Sequence, residues 1–310
     1  MKNWRLIEDP PQSGPFNMAV DFQLLEQFKP GKTPIFRLYS WERPTLSLGR
    51  NEKIDEGINL DSCRKQRIPL IRRMTGGKAV LHHSDLTYAI IGELGDLQFG
   101  KGVHEAYRSL ARGFLLFFQK LGLDPQLVET SESGTLESHL CFSVPSMAEI
   151  LVEGRKLIGS AQRIRGSASK GRFFLQHGSI PLDDPVPLML SVFRHAKEED
   201  LRQKMHSLES LGIYPKKNRE SLQLLLKDCI SECFGLQWVK QPGFSSEADK
   251  IKKTMNKAIS SIFGYSKFTR SVIHFNFSNR KSFLSSQSRD ISVKPSINIY
   301  CFNHFSTICF

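Results

Sequence analysis

The chain has 310 residues, enough for one large domain or two ordinary ones, and its longest apolar run, FLLFF at 114–118, is far short of the ~20 residues that a bilayer span needs. Six cysteines at irregular spacings, behind an opening with no apolar leader core, point to free thiols in a reducing cytoplasm and away from a secreted disulfide framework. The formal net charge is +12, but residues 242–310 hold ten Lys/Arg against three Asp/Glu; the body is only mildly basic and carries no helix-turn-helix, zinc-finger or RNP-like pattern.

In chain order, WRLIED reads as a strand and NMAVDFQLLEQF, 17–28, as a helix with Asn17 at its cap and Met18, Phe22, Leu25 and Phe28 on one face. KPGKTP ends it, and IFRLYSW and TLSLGR follow as short strands around the Pro44 turn. A helix near 59–67 carries Cys63, and IPLIRR is a further strand. Residues 102–122 have apolar side chains recurring at three and four, the strongest helical period in the chain. After a polar loop, MAEILV, KLIGSAQR and FFLQHGSIPL read as three consecutive strands joined by the turns EGR and RGSASKGR, and the pattern from 190 to 235 is helical. Cys229 and Cys233 stand four apart on that last helix with no second ligand pair, so they are expected to pack and not to bind a metal. The order argues an α+β fold around a mostly antiparallel sheet. A unit over 1–245, with its core at 30–240, is followed by an extension, 246–310, that has no sustained period and no assigned role.

The run IRRMTGGKAVLHHSDLTYA, 71–89, is the most unusual stretch. Adjacent glycines Gly76 and Gly77 permit left-handed backbone and close approach to a ligand, with Arg72 and Arg73 before them and His82, His83 and Asp85 behind. It matches neither a Walker loop nor the dinucleotide pattern, so its spacing implies no nucleotide phosphate. What remains is a glycine-floored pocket, or a plain hairpin turn with solvated charges.

RRMTGGKAVLHHSDLTYA resembles the R-R-x-T-G-G-x-A-V-x-H signature of the lipoate–protein ligase and octanoyltransferase superfamily, which shares its catalytic fold with biotin–protein ligases. PSMAEILVEGRKLIGSAQR with FFLQHGSIPL resembles the later signature of the same superfamily, and together the likeness covers roughly 1–240. Within it, L-C-F-x-x-P-S ahead of E-I-x-V-x-G-R-K is similar to the LipM-type octanoyltransferases. That resemblance implies Cys141 as the acyl-thioester nucleophile and Lys156 as the ammonium that lowers its pKa. It places Arg73, Gly76, Gly77, Lys78, His82 and Gly159 at the substrate, with no metal and no cofactor.

The chemistry suits those roles. A free thiol with pKa about 8.5 is mostly protonated at neutral pH, and a nearby ammonium favours the thiolate. Backbone N–H groups near Gly76, Gly77 and Gly159 are candidates for the oxyanion site. His82 is expected to brace the pocket floor or touch substrate, and is not read as a general base. Lys78, His83, Met147 and Ala148 depart from the usual pattern, which bears on acyl-chain fit and acceptor choice.

The implied reaction moves octanoyl from octanoyl-acyl carrier protein to a lysine of a lipoyl domain, such as glycine cleavage H protein or a 2-oxoacid dehydrogenase E2 subunit. The expected protein is a cytoplasmic monomer engaging neither nucleic acid nor membrane. Rival readings are an ATP- and Mg-dependent lipoate–protein ligase, an octanoyl amidotransferase between lipoyl domains, and a non-catalytic module that binds acylated domains. A basic nucleic-acid module ranks last.

Overall fold

The computed structural model describes residues 2–244 apart from 55, 97, 129–148 and 168. Its frame is a six-stranded sheet built from β1 (Lys2–Glu8), β2 (Ile35–Tyr39), β6 (Asp85–Leu94), β10 (Gly159–Ser167), β11 (Gly171–Pro181) and β12 (Leu236–Gln241), in the order β10-β11-β6-β2-β1-β12. The pairs from β10 across to β2 are antiparallel, whereas β1 runs parallel to both β2 and β12. The expected α+β class and mostly antiparallel sheet are both present.

Each face of this sheet carries its own core. On one side lie α3 (Val103–Lys120) and α6 (Arg219–Phe234), which bury Leu110, Phe114, Phe117 and Phe118 with Leu222, Leu226 and Ile230 against Phe36, Tyr88 and Phe174. The apolar residues of α3 recur at three and four because only that spacing keeps one helix face on the sheet. On the other side, α1 (Gly14–Gln27) packs Phe16, Val20 and Leu24 against Tyr39, Ala89 and Leu175.

A second, three-stranded sheet, β4-β3-β5, joins β3 (Thr45–Leu48), β4 (Leu70–Arg72) and β5 (Val80–His82). It is backed by α2 (Leu60–Lys65), α4 (Val186–Val192) and α5 (Glu198–Lys204) through Leu46, Leu81, Cys63, Val186 and Leu201. The loop from β4 to β5 holds the paired glycines. Gly77 sits at φ +90°, and a Cβ on Gly49 would lie 1.8 Å from the Gly77 carbonyl oxygen, so two backbone segments touch there with no room for a side chain.

A third sheet, β7-β8-β9, consists of β7 (Pro125–Val128), β8 (Glu149–Val152) and β9 (Arg155–Lys156). Glu153 (φ 51°) and Gly154 (φ 74°) make the two-residue turn between β8 and β9, with both turn residues left-handed, the geometry that matches strand twist in a tight hairpin.

Two local expectations need correction. Asn17 does not cap α1: the helix starts three residues earlier, behind Ser13, because Pro15 has a backbone angle already suited to a first turn. Asn17 is instead fully buried, donating to the Ser40 carbonyl (2.9 Å) and accepting from Arg37 (3.0 Å). MAEILV, KLIGSAQR and FFLQHGSIPL are not three neighbours in one sheet: β8 and β9 belong to the small third sheet, and only β10 and β11 enter the large one. Leu157 and Ile158, which separate β9 from β10, are both buried in the α3 and α6 core.

Candidate active site

A small cavity, about 40 Å³ in volume, lies where the large sheet meets the β4-β3-β5 sheet. Met18, Trp41 and Val80 give it apolar wall, and β10 and β11 give it Gly159, Ala161, His177 and Ser179. Arg73 and His82 also line it, so three of the residues implied for substrate contact, Arg73, His82 and Gly159, come together here. Gly76 and Gly77 are exposed and Lys78 is half-buried, and none of these borders the cavity.

Arg73 also braces the loop that it precedes. Its guanidinium donates to the carbonyls of Ser47 (2.8 Å), Gly76 (2.8 Å) and Lys78 (2.7 Å), so it holds the glycine loop in shape from within. Arg72 does the same for the neighbouring loop, donating to the carbonyls of Gly49 (2.7 Å) and Glu52 (2.7 Å). The glycines leave the loop free to bend, and the two arginines fix the bend.

His82 is held on three sides. Its Nδ1 donates to Asp85 (2.7 Å), with Ser179 Oγ also within reach at 3.1 Å, and the Trp41 ring stacks on it at 4.0 Å and 15°. Trp41 in turn donates to Thr87 (2.9 Å). Burial pushes the His82 pKa below its ordinary value, opposed by Asp85 and assisted by the Arg73 guanidinium, which favours the neutral ring.

His177 was not singled out in the sequence, yet it forms a second chain of bonds. Its Nδ1 donates to Asp21 (3.0 Å) and its Nε2 accepts from Thr75 (2.7 Å), tying the glycine loop to α1. Asp21 also receives Tyr39 Oη (2.9 Å) and Arg37 (2.8 Å), and Arg37 reaches on to Asp9 (2.7 Å). A histidine between glutamine and glycine in a strand buried on both faces was the available signal.

Lys156 stands at the end of β9. Its side chain is 4% exposed and paired with Glu149, itself 5% exposed, so it is not a solvated turn lysine. Glu149 was also missed, although the hairpin makes it legible: Leu151 pairs with Lys156 across the turn, and Glu149 lies on the same strand face one step further on. The Lys156 carbonyl accepts from the His206 N–H (2.9 Å), which anchors β9 to the end of α5. Lys156 does not itself line the cavity, but β10, which begins three residues later, does. Cys141, Met147 and Ala148 lie outside the described residues.

Among the described residues no group of three His, Cys, Asp or Glu side chains could hold a metal ion, and no helix is long and apolar enough to cross a membrane. Cys229 is buried in the α6 core, and burial pushes its pKa up to about 11, an inert packed thiol.

The sequence matches the lipoyl protein ligase A/B catalytic domain over residues 13–215. The chain belongs to this family. It is 39% identical over 205 residues to octanoyltransferase LipM of Carboxydothermus hydrogenoformans, covering 66% of this chain and 73% of that protein. The corresponding enzyme of Brevibacillus brevis is 36% identical over 245 residues, 74% of this chain and 87% of that one. A crystal structure of lipoate-protein ligase A bound with ATP has the same fold, with a TM-score of 0.64 and 22% identity over 82% of this chain and 94% of that one. Within the family the chain is of the octanoyltransferase type and is therefore an acyltransferase of lipoate biosynthesis. The bi-partite lipoate protein ligase of Thermoplasma acidophilum, described together with its E2 lipoyl domain, shares the fold as well, with a TM-score of 0.64 and 17% identity over 82% of this chain and 92% of that one.

Proposed function

We propose that the enzyme takes octanoyl from octanoyl-acyl carrier protein onto Cys141 and delivers it to a lysine of a lipoyl domain, on glycine cleavage H protein or a 2-oxoacid dehydrogenase E2 subunit. The observation that supports this best is the burial of Lys156. An ammonium kept from water acts on a neighbouring charge far more strongly than a solvated one, because less dielectric screening intervenes. Lys156 then favours the Cys141 thiolate, which attacks the donor thioester. One thioester is exchanged for another, so the acyl group is held without ATP and without a metal. The cavity takes the acyl chain against Met18, Trp41 and Val80. Arg73, with Gly76, Gly77 and Lys78, shapes the loop beside it, and Gly159 lies against the bound acyl group. The enzyme works as a cytoplasmic monomer, and its basic balance of +12 suits acidic partner domains.

Mass spectrometry after incubation with octanoyl-acyl carrier protein tests this. An octanoyl adduct on Cys141, lost in Cys141→Ala, is expected. ATP-dependent lipoylation that survives Cys141→Ser, with no adduct, overturns it in favour of a ligase. Faster loading from octanoylated H protein than from the carrier protein would make the enzyme an amidotransferase with the same cysteine and lysine.

A further inference from the structure

We infer that Met18 is the movable wall of the cavity and sets the length of acyl chain that the enzyme accepts. This rests on the reading above that the cavity takes the acyl group, and it names the residue that decides how much of that group fits.

The cavity as it stands is too small for such a ligand. A space of about 40 Å³ holds about three water-sized groups, at roughly 10–15 Å³ for each. An octanoyl tail carries more than twice as many methylene and methyl groups as that. Part of the wall must therefore withdraw when the chain enters, and the part that withdraws fixes the space gained.

Most of the wall is tethered. Tyr39 donates to Asp21 (2.9 Å), and the Arg37 guanidinium lies over its ring at 4.0 Å. Trp41 donates to Thr87 (2.9 Å) and stacks on His82, which is bonded to Asp85 at 2.7 Å. His177 is bonded through both ring nitrogens, to Asp21 and to Thr75. Arg73 is committed to the carbonyls of Ser47, Gly76 and Lys78, and Ser160 shares a hydrogen bond with Tyr88 (2.7 Å). Displacing any of these leaves a buried polar group without its partner. Val80 is apolar, but it is β-branched and stiff, and its backbone is paired with Ser47 in the β3–β5 ladder.

Met18 differs on each count. Its side chain is long and unbranched, with a thioether that demands no hydrogen bond, so it changes shape without breaking one. Its root is fixed, because it lies within α1 between the buried residues Asn17 and Ala19, and Asn17 is bonded to the Ser40 carbonyl and to Arg37. A fixed root with a pliable end makes a length gauge. The thioether end swings aside for a chain that fits the vacated space, and a longer chain meets tethered rings that do not give.

The test compares the full-length enzyme with Met18→Ala and Met18→Leu. Transfer to glycine cleavage H protein is measured from hexanoyl-, octanoyl- and decanoyl-acyl carrier protein, as kcat/KM for each chain. A methylene group in an apolar pocket is worth about 10–200-fold, so Met18→Ala is expected to raise decanoyl relative to octanoyl about tenfold or more. Met18→Leu keeps the volume and removes the flexibility, and is expected to lower octanoyl relative to hexanoyl by about fivefold or more. It also carries the test if Met18→Ala does not fold, since exchanges between methionine and leucine are well tolerated. Val80→Phe, which fills the same cavity from β5, separates the two claims. Ratios within about twofold of wild type in both Met18 variants, with a profile that Val80→Phe shifts toward hexanoyl, overturn the inference and leave the acyl site where it is. Ratios unaltered in all three variants place the acyl chain elsewhere, which removes that reading and this gauge with it.

Discussion

Replacing Arg37 with methionine isolates the electrostatic core beneath the cavity. The guanidinium is fully buried and donates to Asp9 at 2.7 Å, Asp21 at 2.8 Å, the Asn17 carbonyl at 3.2 Å and Asn17 Oδ1 at 3.0 Å. Methionine fills much of the same space without charge, so the loss is electrostatic and not a cavity. Two carboxylates then stay buried without their shared cation. Breaking a buried pair from one side costs about 3–5 kcal/mol, and two such carboxylates set an upper bound near twice that. The lower figure applies here, because Asp9 still receives the Phe244 N–H at 2.7 Å and Asp21 still receives Tyr39 and His177. Urea unfolding followed by tryptophan fluorescence reads it directly, since Trp4 and Trp41 are buried. Adding Asp9→Asn to Arg37→Met is expected to restore about 1–2 kcal/mol, because a neutral amide no longer demands the missing charge. A loss under about 1 kcal/mol in Arg37→Met, or no recovery in the double variant, would refute the idea that Arg37 compensates both carboxylates.

Two further outcomes follow from the site. Lys156→Met is expected to slow formation of the Cys141 adduct about tenfold or more at pH 7 and to approach the wild-type rate near pH 9, where a thiol of ordinary pKa ionises unaided; stopped-flow loading against pH reads this, and a pH-independent defect counts against an electrostatic role. Gly178→Ala places a Cβ 2.5 Å from the Gly159 carbonyl oxygen and 2.7 Å from Tyr88 Oη at the cavity wall, so the β10 strand must shift. A thermal-melt loss of about 1–3 kcal/mol is expected, with a raised KM for the octanoyl donor; an unchanged KM would place the acyl chain elsewhere.

The α+β class and most strands could be read from the sequence because each carries its own period or punctuation. β7 and β12 could not: Pro125–Val128 and Leu236–Gln241 are short and half-polar, and they become strands by pairing with β8 and β1, distant partners that no local pattern announces. The break after Lys156 was hidden for a related reason, since Leu157 and Ile158 are as apolar as the strands they separate. The glycine loop was legible as a loop, but the hydrogen bonds from Arg73 to the loop's own carbonyls were not. Charge in a motif says that something is bound and leaves open whether it is a ligand or the protein's own main chain. His177 and Glu149 were overlooked because each sits inside an apolar strand, where a lone polar residue has meaning only once its partner across space is known.

The pairing of β1 with β12 also bears on how the chain is made. Lys2 lies beside Leu236 and Ile7 beside Gln241, so β1 waits during synthesis for the much later β12 before that side of the sheet is complete. Its other neighbour, β2, arrives early and can hold it, but the outer side of β1 offers unpaired N–H and C=O groups throughout synthesis of the residues between. A truncated chain that stops before Leu236 would carry that open edge permanently. Such fragments are expected to associate edge to edge, so the enzyme's tolerance for shortening ends abruptly at β12.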